Sequence, residues 1–143
     1  MKRIMILLVF SIALTGCSFF EETNDTLNYA TQATEYFNDL SNFAEETSGL
    51  MNQAASDPAA KEELETQLLA IEKSIIEFNE MDAPAIADGL HQNLLEKNQQ
   101  LLDITENVVQ NGEVALEELQ YSEIYQTIEN ITELKTQIEE LGF

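Results

Sequence analysis

The chain has 143 residues, with 27 acidic side chains against six Lys and Arg, a formal net charge of −21 and 44% hydrophobic residues. That length suits one domain with a real core, and so acidic a surface excludes nucleic acid as a partner, because displacing its counterions needs clustered Lys or Arg. A lone cysteine rules out a disulfide framework, so the domain must be held by packing alone.

Met1-Lys2-Arg3 is a basic start, Ile4 to Ala13 is almost wholly apolar, and small residues lead into Cys17. This is the pattern of an export signal, and the apolar run is shorter than the ~20 residues a membrane-spanning helix needs. Leu14-Thr15-Gly16-Cys17 resembles the lipobox of bacterial lipoproteins. The resemblance implies cleavage between Gly16 and Cys17, a diacylglycerol on Cys17, and attachment to the outer face of the cell membrane. The chemistry agrees, since a thiolate is the side chain able to form a stable thioether, and paired acyl chains hold a protein on a bilayer where one chain would not. The bland alternative is a free cysteine behind an ordinary signal peptide. The expected division is therefore a signal peptide over 1–16, lipidated Cys17 and a short tether over 17–22, and an acidic helical bundle over 23–143. After cleavage Lys61, Lys73, Lys97 and Lys135 remain against all 27 acids.

From there the apolar residues recur at threes and fours, which predicts helices throughout. The first is expected from Thr23 or Asn24 to about Ala54. Its seam is Ala30, Ala33, Phe37, Leu40, Ala44, Thr47, Met51 and Ala54, and beside it runs a second row, Tyr29, Tyr36, Phe43 and Leu50, each seven residues after the last. Ser48-Gly49 marks a weak point for a kink or an early end. Asp57 is suited to cap a second helix with Pro58 in its first position, and Leu64, Leu68, Ile71, Ile75 and Phe78 form its seam. Met81-Asp82-Ala83-Pro84 repeats the break, with Pro84 opening a third helix that carries Ala87, Leu90, Leu94, Leu101, Ile104 and Val108 and ends at Asn111-Gly112. Glu113 to Tyr121 reads as a short helical turn or a packed loop. Ser122 is placed to cap a last helix with its seam at Ile124, Ile128, Ile131, Leu134, Ile138 and Leu141. Glu63 to Leu68 and Glu133 to Ile138 echo each other, as shared heptad-like composition and not as a duplication.

Short connections force antiparallel neighbours, so the expected fold is all-α, an up-down-up-down four-helix bundle, with a three-helix bundle plus an appended C-terminal helix as the fallback. An extended tether from Cys17 would keep the domain within ~20 Å of the bilayer. In such a bundle the Met81-to-Pro84 turn and Phe143 return to the membrane end beside Phe19 and Phe20. Over nearly its whole length the chain resembles a family of small uncharacterised lipoproteins of Bacillus-type Firmicutes. The resemblance rests on Cys17-Ser18-Phe19, Asn28-Tyr29-Ala30-Thr31-Gln32-Ala33-Thr34-Glu35-Tyr36, Asp57-Pro58, and Phe78 to Ala85 before Leu90-His91. It implies a Gram-positive setting; these motifs mark helix starts and packing, not chemistry.

Little in the inventory supports catalysis. Beyond Cys17 there is no cysteine or arginine, and His91 is the single histidine. Gly89-Leu90-His91-Gln92 lacks a glycine-flanked nucleophile turn. Asp88 and His91 sit three apart like half of a di-metal bundle site, but no second acid-x-x-His exists, so His91 is expected to be an exposed helical side chain. Glu62, Glu63 and Glu65, or Glu117 and Glu118, suit weak, shared cation association; no Asp-x-Asp-x-Asp-Gly loop provides a calcium site. No metal or cofactor is expected. Tyr29, Tyr36, Phe43 and Leu50 have two readings: part of the core, or a face for a partner helix or for self-association. The functional expectation is a non-catalytic interaction or accessory module meeting a membrane-proximal protein partner, with a carrier of a small apolar ligand within the bundle as the alternative.

Overall fold

Each stretch with apolar residues at threes and fours is helical in the structure, a computed structural model that describes the backbone of residues 16–110 and 113–142 and the side chains of 24–109 and 113–140. The elements are α1 (Gly16–Ala54), α2 (Pro58–Asn79), α3 (Asp88–Val108), β1 (Val109–Gln110), β2 (Glu113–Val114), α4 (Leu116–Tyr121), α5 (Ile124–Thr132) and α6 (Lys135–Gly142). The all-α expectation is met.

Helix α1 starts at Gly16, ahead of the expected Thr23 or Asn24. Nothing between Cys17 and Ser48 is Gly or Pro, so no residue there stops helical propagation, and the backbone of 17–22 is helix instead of extended tether. Its 39 residues give a rod of about 58 Å. Ser48-Gly49 does not interrupt it. Thr47 Oγ1 donates to the Phe43 carbonyl at 2.6 Å and pairs with the Tyr125 hydroxyl at 3.2 Å, and Ala54 is buried in the last turn. The buried stripe is also rotated from the expected seam: Ala30, Ala44 and Met51 are only half-buried, while Tyr29, Tyr36 and Phe43 join Ala33, Phe37 and Leu40 inside.

Helix α2 begins as expected, with Asp57 in extended geometry, its Oδ1 accepting from the Ala59 amide at 3.0 Å, and Pro58 in the first turn. Its seam residues are all buried. Asp57→Ala should cost about 1 kcal/mol and lower the thermal midpoint by several degrees; an unchanged melt would show that this cap contributes nothing. Pro84 opens a turn, not a helix. The Ala87 amide donates to the Pro84 carbonyl at 2.8 Å, and α3 starts only at Asp88, with Ala87 as a cap that lacks a side-chain bond.

Helix α3 stops at Val108, where Val109 turns extended. An antiparallel ladder pairs Val109 with Val114 and Gln110 with Glu113; the expected terminator Asn111-Gly112 lies outside the described residues. The Val114 amide donates to Glu65 Oε1 at 3.0 Å, which ties the ladder to α2. The stretch from Glu113 thus opens as a strand before becoming the short helix α4, anchored by buried Leu119. Ser122 does not cap the last helix. Its hydroxyl donates back to the Leu119 carbonyl at 2.8 Å, and Glu123 precedes α5 without a side-chain cap. The last helix is divided, because the Leu134 amide bonds to Ile131 and the Gln137 amide to Leu134, i to i−3 bonds that tighten the turn. Ile124, Ile128, Ile131, Leu134 and Ile138 stay buried across the break.

Helix α1 packs against α2, α5 and α6, and α3 packs against α2 and α5. Side-chain bonds give the directions. Gln67 to Glu46 and Ser74 to Asp39 run α2 antiparallel to α1. Thr47 to Tyr125 and Lys135 to Asn38 do the same for α5 and α6, so α6 heads toward the amino-terminal end of α1. The expected meeting of Phe143 with Phe19 and Phe20 falls outside the side chains described. Among the described residues no helix is long and apolar enough to cross a membrane.

Candidate functional site

Among the described residues, the buried histidine and asparagine meet two buried tyrosines where α1, α2 and α3 come together. Two rows, each with a seven-residue spacing, face each other: Tyr29 and Tyr36 on α1, His91 and Asn98 on α3. Seven residues are two helical turns, about 10.5 Å, so parallel helices in matched register bring both pairs together. The Tyr29 hydroxyl is hydrogen-bonded to His91 Nδ1 at 3.0 Å. The Tyr36 hydroxyl donates to Asn98 Oδ1 at 2.5 Å, and Asn98 Nδ2 donates to Asn79 Oδ1 of α2 at 2.7 Å. Phe78 fills the space between the pairs. Its ring stacks on Tyr36 with centroids 4.4 Å apart and lies 5.4 Å from His91 and 6.3 Å from Tyr29.

His91 is buried, 4% exposed, which corrects the expectation of a surface histidine. The cause is register. Leu94, Leu101 and Val108 put one side of α3 in the core, and His91, Asn98 and Thr105 fall on the same stripe three residues before each of them. Asn98 and Thr105 were likewise missed; polar residues repeating every seven positions along an apolar seam, in step with Tyr29 and Tyr36, were the available signal. Tyr29, Tyr36 and Phe43 are 2–3% exposed and Leu50 is half-buried against the core. The row is therefore interior and leaves no free face for a partner helix, because its hydroxyls find acceptors inside the fold instead of reaching solvent at its edge.

Burial sets the protonation states. It holds the His91 imidazole below its ordinary value, against a smaller opposing pull from Asp88. It pushes the Tyr29 phenol up to about 12 and raises Tyr36 further, with the Asn98 hydrogen bond acting the other way. Near pH 7 the cluster is neutral, and with the imidazole proton on Nε2 the Tyr29 hydroxyl donates to Nδ1. Among the described residues no buried side-chain N or O lacks a partner, and no three His, Cys, Asp or Glu converge where an ion would sit. The unfolded chain takes up the histidine proton first, so the stability conferred by the neutral ring is complete above pH ~6.5 and is lost as pH falls below that value. Wild type is expected to lose more thermal stability than His91→Gln between about pH 7.5 and 5.5, carboxylate protonation acting on both; parallel losses would exclude His91 as the titrating group.

The remaining predicted residues are dispersed. Gly16 and Cys17 form the start of α1. Glu62, Glu63, Glu117 and Glu118 are exposed, whereas Glu65 is engaged by the Val114 amide and by Lys61 at 3.8 Å. The clefts along α1 and α2 open to solvent and are bordered by polar side chains, Asp39, Asn42, Glu46, Gln67 and Ser74 in one.

A family described as a family of unknown function (DUF6376) matches residues 29–141. An uncharacterised lipoprotein of Bacillus subtilis (strain 168), YybP, is 38% identical over 130 residues, covering 89% of this chain and 88% of its own length. That relative bears out the resemblance read from the helix-start motifs. No solved structure matches the chain.

Proposed function

The chain belongs to this family, DUF6376, and from that premise we propose that it is a lipid-anchored accessory protein on the outer face of the cell membrane, non-catalytic, working by contact with a membrane-proximal protein. Cys17 carries the diacylglycerol, and the lipoprotein relative supports that anchor. In this proposal α1, α2, α3 and the broken α5–α6 arm form an up-down-up-down four-helix bundle, a layout supported by the directions of α1, α2, α5 and α6.

The observation that carries the reading is where the chain uses its reactive groups. Its single histidine and the tyrosines Tyr29 and Tyr36 are consumed in internal hydrogen bonds, so the parts left for work are outer faces. The solvent-open, polar-bordered clefts along α1 and α2 also favour a contact module over an apolar carrier. Because the backbone from Cys17 onward is helical, the rise from Cys17 to Asn24 is about 10 Å, and the domain stands close to the lipid on a stiff stem.

The test is a flexible Gly-Ser insert of about 20 residues after Ser18, with chemical cross-linking in intact cells. Adducts to an integral membrane protein are expected with the natural stem and are expected to fall sharply with the insert. Equal adducts from both chains, or none from either, would overturn the membrane-proximal reading.

A further inference from the structure

We propose that the outer groove between α2 and α3 is a docking site for a basic amphipathic helix of a membrane-proximal protein; the site rests on the accessory reading above and gives it a surface and a partner chemistry. Large apolar side chains remain exposed on α2, Leu69 at 54% and Ile76 at 43%. They are seven residues apart, two turns, and so share one side of the helix. Glu65 and Asn79, which reach the β2 amide and Asn98, mark the side of α2 that faces α3, and helical geometry places Leu69 and Ile76 just outside it. On α3, Leu95 and Leu102 are again seven apart and half-exposed, on the side where Asn98 reaches Asn79.

The Asn98–Asn79 bond also sets the register of the two helices. Counting from it, Ile76 falls beside Leu102, with Leu69 two turns further along and Leu95 two turns the other way. The four form one strip of about 20 Å, the length of a helix of roughly 13 residues. Isolated exposed apolar residues need no explanation, but an aligned strip marks an interaction surface.

Charge selects the occupant. Glu72, Asp103 and Glu106 border the strip, and its basic neighbour, Lys73, is paired with Glu77 at 3.2 Å. A second copy of this chain brings the same acidic border, and an anionic bilayer brings like charge, so both are repelled. A helix with Leu or Ile on one face and Lys or Arg on its flanks is complementary on both counts and suits the mode in which an amphipathic helix lies in a groove.

The probe is a labelled 18-residue amphipathic peptide of Leu and Lys, compared with a scrambled peptide of the same composition, its affinity followed by fluorescence anisotropy in moderate salt. Wild type is expected to bind the amphipathic peptide at least fivefold more tightly than the scrambled one. The double variant Leu69→Gln/Ile76→Gln should lose at least fivefold, while Tyr121→Gln, at an exposed apolar side chain elsewhere, should lose nothing. All these positions are on the surface, so the variants should melt like wild type. Equal binding of the two peptides, a smaller loss in the double variant, or self-association or vesicle binding that depends on Leu69 and Ile76 overturns the proposal. Failure here with the stem-dependent adducts intact moves the partner to another face; loss of those adducts is failure of the accessory reading itself.

Discussion

Replacing Cys17 with Ser is expected to abolish labelling with palmitate and leave an uncleaved precursor, the largest change any single substitution should produce. A serine hydroxyl is not ionised near neutral pH and is a poor nucleophile beside a thiolate, so no thioether forms. In the proposed processing the lipid precedes cleavage between Gly16 and Cys17, so that cleavage is not expected either. The precursor still carries Ile4 to Ala13, so its fractionation reports on that apolar run as well as on the anchor. A chain starting at Ser18 behind an unrelated cleavable signal lacks both attachments. With each buried methylene contributing ~0.8 kcal/mol, removing the acyl chains leaves nothing of comparable strength, and this chain should appear in the soluble fraction. Palmitate incorporation in Cys17→Ser, or retention of the Ser18 chain on membranes, would show that Cys17 is not the anchor.

Phe78→Ala should destabilise the domain by about 3–5 kcal/mol, the range for removing a buried aromatic ring, within a total stability of roughly 5–15 kcal/mol. Phe78 is 2% exposed and touches the rings of Tyr29, Tyr36 and His91 together. Its loss opens a void beside the hydrogen bonds that join α1 to α3 and loosens the Asn79–Asn98 link one residue away. A fall in the thermal midpoint of 10 °C or more is expected, with Phe78→Leu milder because it refills part of the space. Leu69→Ala, at an exposed position of the same helix, should change stability by less than about 0.5 kcal/mol. A Phe78→Ala melt close to wild type would mean that the aromatic cluster is not a site of tight packing.

The helices were legible from spacing and stop signals, while most of their ends and the polar interior were not. Asp57-Pro58 was sufficient for the start of α2, because a carboxylate capping a free amide and a proline in the first turn act within a few residues. Pro84 misled, since the same residue also favours a turn, and the choice lay with Ala87 reaching the core. The division at Leu134 was invisible, because Ile131, Leu134 and Ile138 keep helical spacing whether or not the axis bends there.

The sequence by itself determined the all-helical class and most of the apolar seams, because each depends on local residue type and period, and the proposed lipid acceptor, Cys17, is read from it alone. Only the tertiary structure decided that Tyr29 and Tyr36 are interior, that His91 is buried and neutral, and that Leu69 and Ile76 stay outside. Residue type could not settle these. A tyrosine suits a core or an edge and a histidine either side of a helix, and the outcome depends on which acceptor the neighbouring helix brings within 3 Å: His91 for Tyr29, Asn98 for Tyr36.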